Sequence, residues 1–318
     1  NLKELLINWK SIFMLPFIFF GFCRDIWNKF EEYSRIEHPY RSTFYVMPFK
    51  NKPGTPMENR NFEKRATKYD VDDIKDEVRN MTAKGCEIGV HGINAWKDAR
   101  EGQEEIRRIT EVSKTSDQCG VRIHWLCFNE NSFKHLEDAG FYYDSTVGYN
   151  DAVGFRAGTL QVYCPLQVSS LKELPVHLQD TALFYPGRMN LNQKQARVFC
   201  KKLITNAGKL GGVLTILWHM RSISPERLWQ RFYKEIIQLL ENNNAWITTA
   251  HSIVNWFNKR RSLNFTKVII DDRIIHLELG DGDFSHKPDL ELRLYECDSV
   301  ASDSIFPVKY RTIPLKKS

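Results

Sequence analysis

The chain contains no Cys-x-x-Cys pair, and its seven cysteines are odd in number and irregularly spaced. That excludes a cysteine zinc site and a disulfide framework, and it favours a reducing, cytoplasmic compartment. Runs of like charge are missing too. The 45 basic and 39 acidic residues are interspersed and leave a net charge of +6, so no nucleic-acid footprint is expected. Long hydrophobic runs are scarce. The apolar stretch Ile12–Phe22 is too short to span a bilayer and is interrupted by Pro16, so no stable membrane span is expected. No small-residue cleavage pattern follows it, which argues against a signal peptide. A core-facing or surface-docked segment is the expectation, with a membrane-surface role as the alternative. There is no internal repeat and no low-complexity tract. Residue 1 is Asn rather than Met, so the sequence is expected to start inside a longer reading frame or after processing.

With 42% hydrophobic and 13% aromatic residues, the 318 positions can bury a sizeable core. A strand-then-helix alternation begins near Ser42. Thr43–Val46 reads as a strand, and Val71–Lys84 has helical spacing, opens with Asp70 as a cap and stops at Gly85. Glu87–Val90 is the next strand and Gln103–Ser116 the next helix. Strand Val121–Leu126, helix Ser132–Ala139, its stop Gly140 and strand Phe141–Tyr143 follow. Leu174–Val176 and Val213–Trp218 read as strands, with helix Gln193–Ala207 between them. Ser224-Pro225 signals a helix start. Trp246–Thr248 is a last strand and Ile253–Lys259 a last helix. This alternation predicts an α/β fold with a parallel sheet or barrel over residues 1–261. Past Arg261 only strand signals remain: Lys267–Ile270, Ile274–Leu279, Leu290–Tyr295 and Val308–Ile313. Residues 262–318 are therefore expected to form a small antiparallel accessory unit.

Several titratable residues stand where strands end, and the carboxyl ends of parallel strands converge on one face. His91 follows Glu87-Ile88-Gly89-Val90, with Gly92 beside it leaving room for a ligand. His124 lies in Arg122-Ile123-His124-Trp125, where alternation puts Arg122 and His124 on one side of the strand. His219 ends an apolar strand. Asp144 and Asp180 are carboxylates in matching places. For each, a satisfied structural histidine or a capping carboxylate is the plain alternative. The other histidines, including His177, and the acidic run Asp70, Asp72 and Asp73 at a helix start read as structural. A metal-assisted hydrolase needs histidines together with a carboxylate base or ligand.

The order of these segments resembles the polysaccharide deacetylases, the NodB-homology carbohydrate esterases. Glu87–Gly92 resembles their histidine motif, Arg122–Trp125 the arginine-plus-aromatic motif, Phe141–Thr146 the aspartate motif and Leu217-Trp218-His219 the final leucine-x-histidine motif. Gly154–Thr159, which contains Arg156, resembles a segment of a divergent bacterial branch. The resemblance covers about Thr43 to Trp256.

It implies a distorted (β/α) barrel that holds a divalent metal, usually zinc, and removes N-acetyl groups from a polysaccharide or glycan precursor. It makes His91 a metal ligand, His219 the acid that protonates the leaving amine, Arg122 an orienting residue and Asp144 a support for the proton relay. Trp125, Arg156 and Asp180 would contact the sugar. Two features depart from the family pattern. The first-strand aspartate pair is absent, so the barrel is expected to be N-terminally incomplete, and the second histidine, four residues after the first, is Ala95. His124 is expected to replace it as a ligand. The alternatives are a catalytically impaired carbohydrate-binding relative, or an amide hydrolase acting on a small non-sugar substrate.

Overall fold

The computed structural model describes residues 28–55, 62–115, 118–224, 227, 229–262, 264–271, 274–279, 291–295 and 310–314, together with Trp9, Phe13, Met14, Pro16, Phe17, Phe20 and Phe22. The chain divides into two compact units, residues 1–257 and 258–318.

The first unit is α/β. Helix α1 (Phe30–Glu37) leads into β1 (Thr43–Val46), followed by α2 (Lys75–Ala83), β2 (Glu87–Gly92), α3 (Ala99–Ser113), β3 (Gly120–Ile123), α4 (Ser132–Ala139), β4 (Tyr143–Asp144) and β5 (Lys172–Glu173). These five strands form one sheet in sequential order, each parallel to the next. Then come β6 (Leu178–Gln179), α5 (Asp180–Phe184), α6 (Gln193–Leu210), β7 (Ile216–Leu217), α7 (Gln230–Glu241) and the start of α8 (Ala250–Ser262), whose residues from 258 onward fall in the second unit, with β6 and β7 paired in parallel. Sequential parallel order with helical crossovers sends every strand end to the same edge.

Local chemistry accounts for the helix boundaries. Asp98 caps α3 by accepting from the amides of Arg100 and Glu101, so this helix starts before the expected Gln103. Asn192 and Gln195 close a reciprocal capping box on α6. Asp70 accepts from the Asp72 amide and Asp73 from the Asp70 amide, which holds residues 71–74 in a turn and delays α2 to Lys75. Gly140, at φ +92°, ends α4 as anticipated.

Strands are shorter than their apolar runs suggest. Leu174–Val176 lies between β5 and β6 without forming a strand, although the Leu174 amide donates to the Asp144 carbonyl at 2.8 Å and the Val176 amide to the Val147 carbonyl at 2.9 Å, and only Ile216–Leu217 of Val213–Trp218 is in a strand. Trp246–Thr248 is coil, with Trp246 exposed; no strand pairs with it among the described residues. Pro225 lies outside the described residues, and the helix expected from it begins at Gln230. Within Ile12–Phe22, the described Phe13, Phe17, Phe20 and Phe22 are exposed, which corrects the core-facing expectation at those positions. Among the described residues no helix is long and apolar enough to cross a membrane.

The second unit contains two antiparallel pairs, β8 (Phe265–Asp271) with β9 (Ile274–Leu279) and β10 (Glu291–Tyr295) with β11 (Tyr310–Pro314).

One packing constraint locks β3 to β4. A Cβ on Gly120 would strike the ring of Tyr143. That ring cannot yield easily, because its hydroxyl donates to Glu87 Oε1 at 2.7 Å and accepts from the Tyr45 hydroxyl at 3.0 Å. Gly120→Ala should lower unfolding free energy by about 1–3 kcal/mol, the usual cost of overpacking, as read from denaturant melts.

Candidate active site

Strand register builds the site. Gln179 pairs with Leu217, so Asp180 and His219, just beyond the strand ends, come together. Asp180 is fully buried. Its Oδ1 meets His219 Nδ1 at 2.6 Å and accepts the Thr181 amide at 2.6 Å. Its Oδ2 accepts the His219 amide at 2.7 Å and the Ser222 hydroxyl. Burial pushes this carboxyl up, but the His219 ring and the hydrogen bonds from His219 and Ser222 outweigh it and hold it below the usual range. An ionised Asp180 fixes the proton of His219 on Nδ1 and leaves Nε2 on the half-exposed side of the ring. The Tyr33 hydroxyl, from α1, donates to the His219 carbonyl at 2.8 Å.

The second group stands on β2 and β3. His91 pairs in register with Arg122, and His91 Nδ1 donates to the Arg122 carbonyl at 2.9 Å. The chain leaves β3 at Ile123, and Trp125 and Leu126 adopt positive φ of +64° and +51°. His124 therefore sits in a turn, and the expected strand alternation with Arg122 stops short of it. Its Nε2 donates to the Arg65 carbonyl at 3.2 Å, while its Nδ1 faces His91 Nε2 at 2.8 Å. The two rings meet edge-on, 4.7 Å between centroids.

These bonds decide the tautomers. A carbonyl can only accept, so the outer nitrogen of each ring carries its proton. The two facing nitrogens then present lone pairs to each other. Neither ring readily takes a second proton. Burial, then the charges of His124 and His219, hold His91 well below its ordinary value; burial and then Arg65 bring His124 down to about 3. His219 also lowers both rings electrostatically.

Two imidazole nitrogens with uncommitted lone pairs, each ring anchored through its far nitrogen to a carbonyl, are donors of the kind a divalent cation takes. Among the described residues no third His, Cys, Asp or Glu joins them.

Asp144 does not join this group. It is fully buried, its Oδ1 accepts from the Thr146 hydroxyl, and the carboxylate beside His219 is Asp180. Asp180, enclosed by its four donors, has no face left for a sugar. Arg122 is buried, donates to the Ser145 carbonyl at 2.9 Å and the Ser145 hydroxyl at 2.8 Å, and lies 4.3 Å from the Tyr45 ring centre. Trp125 is half-buried, and its carbonyl accepts from Asn150 at 2.9 Å. Arg156 is exposed and donates to the Gly148 carbonyl at 2.8 Å. The room expected beside Gly92 is filled: a Cβ there would lie 2.5 Å from Ile123 and 3.4 Å from Glu105.

Three supporting residues escape sequence reasoning. Arg65 is almost fully buried and donates to the carbonyls of Pro53 at 3.0 Å, Ile93 at 2.9 Å and His124 at 2.9 Å. Glu105, buried on α3, accepts the amides of Ile93 at 3.0 Å and Asn94 at 2.8 Å and so holds the loop after His91. Glu173 lies beside Asp144. A charged residue on the apolar face of a helix, as Glu105 is, was the available signal; Arg65 and Glu173 gave none.

No protein-family model and no curated protein matches the chain. Solved structures do. A Mycobacterium smegmatis structure assigned as a polysaccharide deacetylase superposes with a TM-score of 0.52 at 18% identity, over 74% of this chain and 76% of that one. The fold is of the polysaccharide deacetylase type. PuuE allantoinase aligns at 22% identity over 58% of this chain and 63% of that one, with a TM-score of 0.43. The family 4 carbohydrate esterase PdaA of Bacillus subtilis aligns at 12% identity over 72% and 75%, with a TM-score of 0.38.

Within this deacetylase-type fold the histidine loop carries a pH signature. Burial raises Glu105 from 4.5 to about 7, against the pull of the Asn94 and Ile93 amides. The folded chain therefore keeps a proton that the unfolded chain has released, and stability falls as pH rises from about 4.5 to about 7. Glu105→Gln should flatten this part of the stability curve relative to the parent protein, measured as thermal melts across that pH range.

Proposed function

We propose that this protein is a hydrolase that cleaves the amide of an N-acetylated carbohydrate, with His219 and Asp180 as its proton-transfer pair. The observation that carries this reading is the 2.6 Å bond between His219 Nδ1 and a fully buried Asp180. It gives the half-exposed Nε2 a fixed direction. As water adds to the acetyl carbon, His219 Nε2 takes the proton that the water gives up, and as the carbon–nitrogen bond breaks it passes that proton to the departing sugar amine, leaving acetate and the neutral ring. Asp180 stays ionised throughout and balances the imidazolium charge. Arg122 holds His91 through its carbonyl, and Arg65 and Glu105 fix the loops that carry both rim histidines. His91 Nε2 and His124 Nδ1 are the atoms that would hold a divalent cation, zinc by the chemistry of the donors. When bound, such a cation supplies Lewis acidity toward the acetyl oxygen and toward water.

Half-buried Trp125 and exposed Tyr149 and Arg156 supply the stacking face and the polar contact a sugar would use. The substrate class rests on the fold type and on these groups together.

A second reading is favoured by one observation: among the described residues, Asp144, Glu173 and Asp180 are all fully buried, which leaves none of the three exposed to act as a base. A relative that binds carbohydrate without turnover would keep the same groove and the same dyad.

The deciding measurement is acetate release from an N-acetylglucosamine oligomer, with and without a chelator. The hydrolase reading expects release that the chelator suppresses. His219→Ala should reduce the rate by about 10²–10⁴-fold. Binding of the oligomer without any acetate would select the second reading. Independently of turnover, zinc should be retained on equilibrium dialysis by the parent protein and lost by both His91→Ala and His124→Ala. Equal zinc in all three would remove the cation from this pair.

A further inference from the structure

Asp144 and Glu173 are directly opposed in the β4–β5 register, and both side chains are fully buried. Each has one satisfied oxygen. Asp144 Oδ1 accepts from the Thr146 hydroxyl, and Glu173 Oε1 accepts the Val147 amide at 3.0 Å. The remaining oxygens, Asp144 Oδ2 and Glu173 Oε2, have no donor, although the two side chains are within hydrogen-bonding reach of each other. Two ionised carboxylates cannot satisfy one another, since both only accept. One proton between the orphaned oxygens satisfies both.

We propose that Glu173 is a positioning residue that shares a single proton with Asp144, so that the pair carries one negative charge matched to the one positive charge of Arg122. The count follows from burial. With no proton, two carboxylates would leave an excess negative charge in the interior beside one guanidinium; with two protons, Arg122 would lack a counter-charge. The groups facing the pair are Arg122 from β3 and Tyr163 from the segment bridged to Glu173, whose phenol burial and both carboxylates keep neutral. Both carboxyls are displaced upward, Asp144 to about 6 by burial and Glu173 well above its ordinary range by burial and then by the charge of Asp144. A matched charge leaves the Arg122 donors on Ser145 and its guanidinium on the Tyr45 face, and the same residue's carbonyl holds His91 Nδ1–H. The link runs from Glu173 through Arg122 to the rim and rests on the hydrolase reading only for its effect on turnover.

The test is infrared spectroscopy of the full chain at neutral pH, comparing the parent protein with Asp144→Asn and Glu173→Gln. One protonated carboxyl stretch, shifted in heavy water, should be present in the parent and missing from each variant, because removing either partner lets the other ionise. The protonated fraction of Glu105 is common to all three and subtracts out. No difference between the spectra, or a band lost in only one variant, would overturn the shared proton. The positioning claim is read from the imidazole nitrogen resonances of His91. Glu173→Gln retains one negative charge and should keep the Nδ1–H tautomer. The Asp144→Asn/Glu173→Gln double variant strips Arg122 of its counter-charge and should lose that tautomer or fail to fold where both single variants fold. A folded double variant with an unchanged His91 signal would show that the pair positions nothing. None of these readouts requires acetate release, so failure of the hydrolase reading would leave them intact.

Discussion

Polar side chains at the inner ends of parallel strands are cut off from water, and each must be satisfied by the strand or loop next to it. The rim of this molecule is built from that requirement. His91 on β2 donates to the backbone of β3, Arg122 on β3 donates to Ser145 beyond β4, Asp144 on β4 faces Glu173 on β5, and Asp180 after β6 holds His219 after β7. Each bond spans one strand-to-strand step. The site is therefore a by-product of sheet order: a change of register at any step would place the side chains on the other face.

What remains available for chemistry is what this internal accounting leaves over. Asp144 and Asp180 are fully buried, and Asp180 reaches the site only through His219. His219 Nε2 and the facing nitrogens of His91 and His124 are what is left, because every other ring nitrogen of the three is committed to a carboxylate or a carbonyl. Preorganisation of this kind holds reactive atoms in place before any ligand arrives.

The alternation of strand and helix was legible because apolar periodicity and the stops at Gly85 and Gly140 are local signals. So were the places of His91 and His124 at the ends of neighbouring strands, where their rings meet. The partner of His219 was not. Asp144 and Asp180 occupy equivalent positions in the sequence, and only the β6–β7 register distinguishes them. The turn at Trp125 and Leu126 was equally hidden, because positive φ at a tryptophan and a leucine runs against their local preference and is imposed by tertiary packing. The C-terminal strands were readable as segments, but of their pairings only that of β8 with β9, across Asp271-Asp272-Arg273, could be read from spacing.

Arg65 has a consequence of another kind. One guanidinium gathers carbonyls from the segments that follow three different strands, Pro53 after β1, Ile93 after β2 and His124 after β3. Lysine, with a compact ammonium in place of a planar fork, could not span them. The three segments thus behave as one heritable block: lengthening or exchanging any of them alone would leave the clasp misfitted, so diversification of this face has to proceed through all three together or through the unclasped stretch around Tyr149 and Arg156.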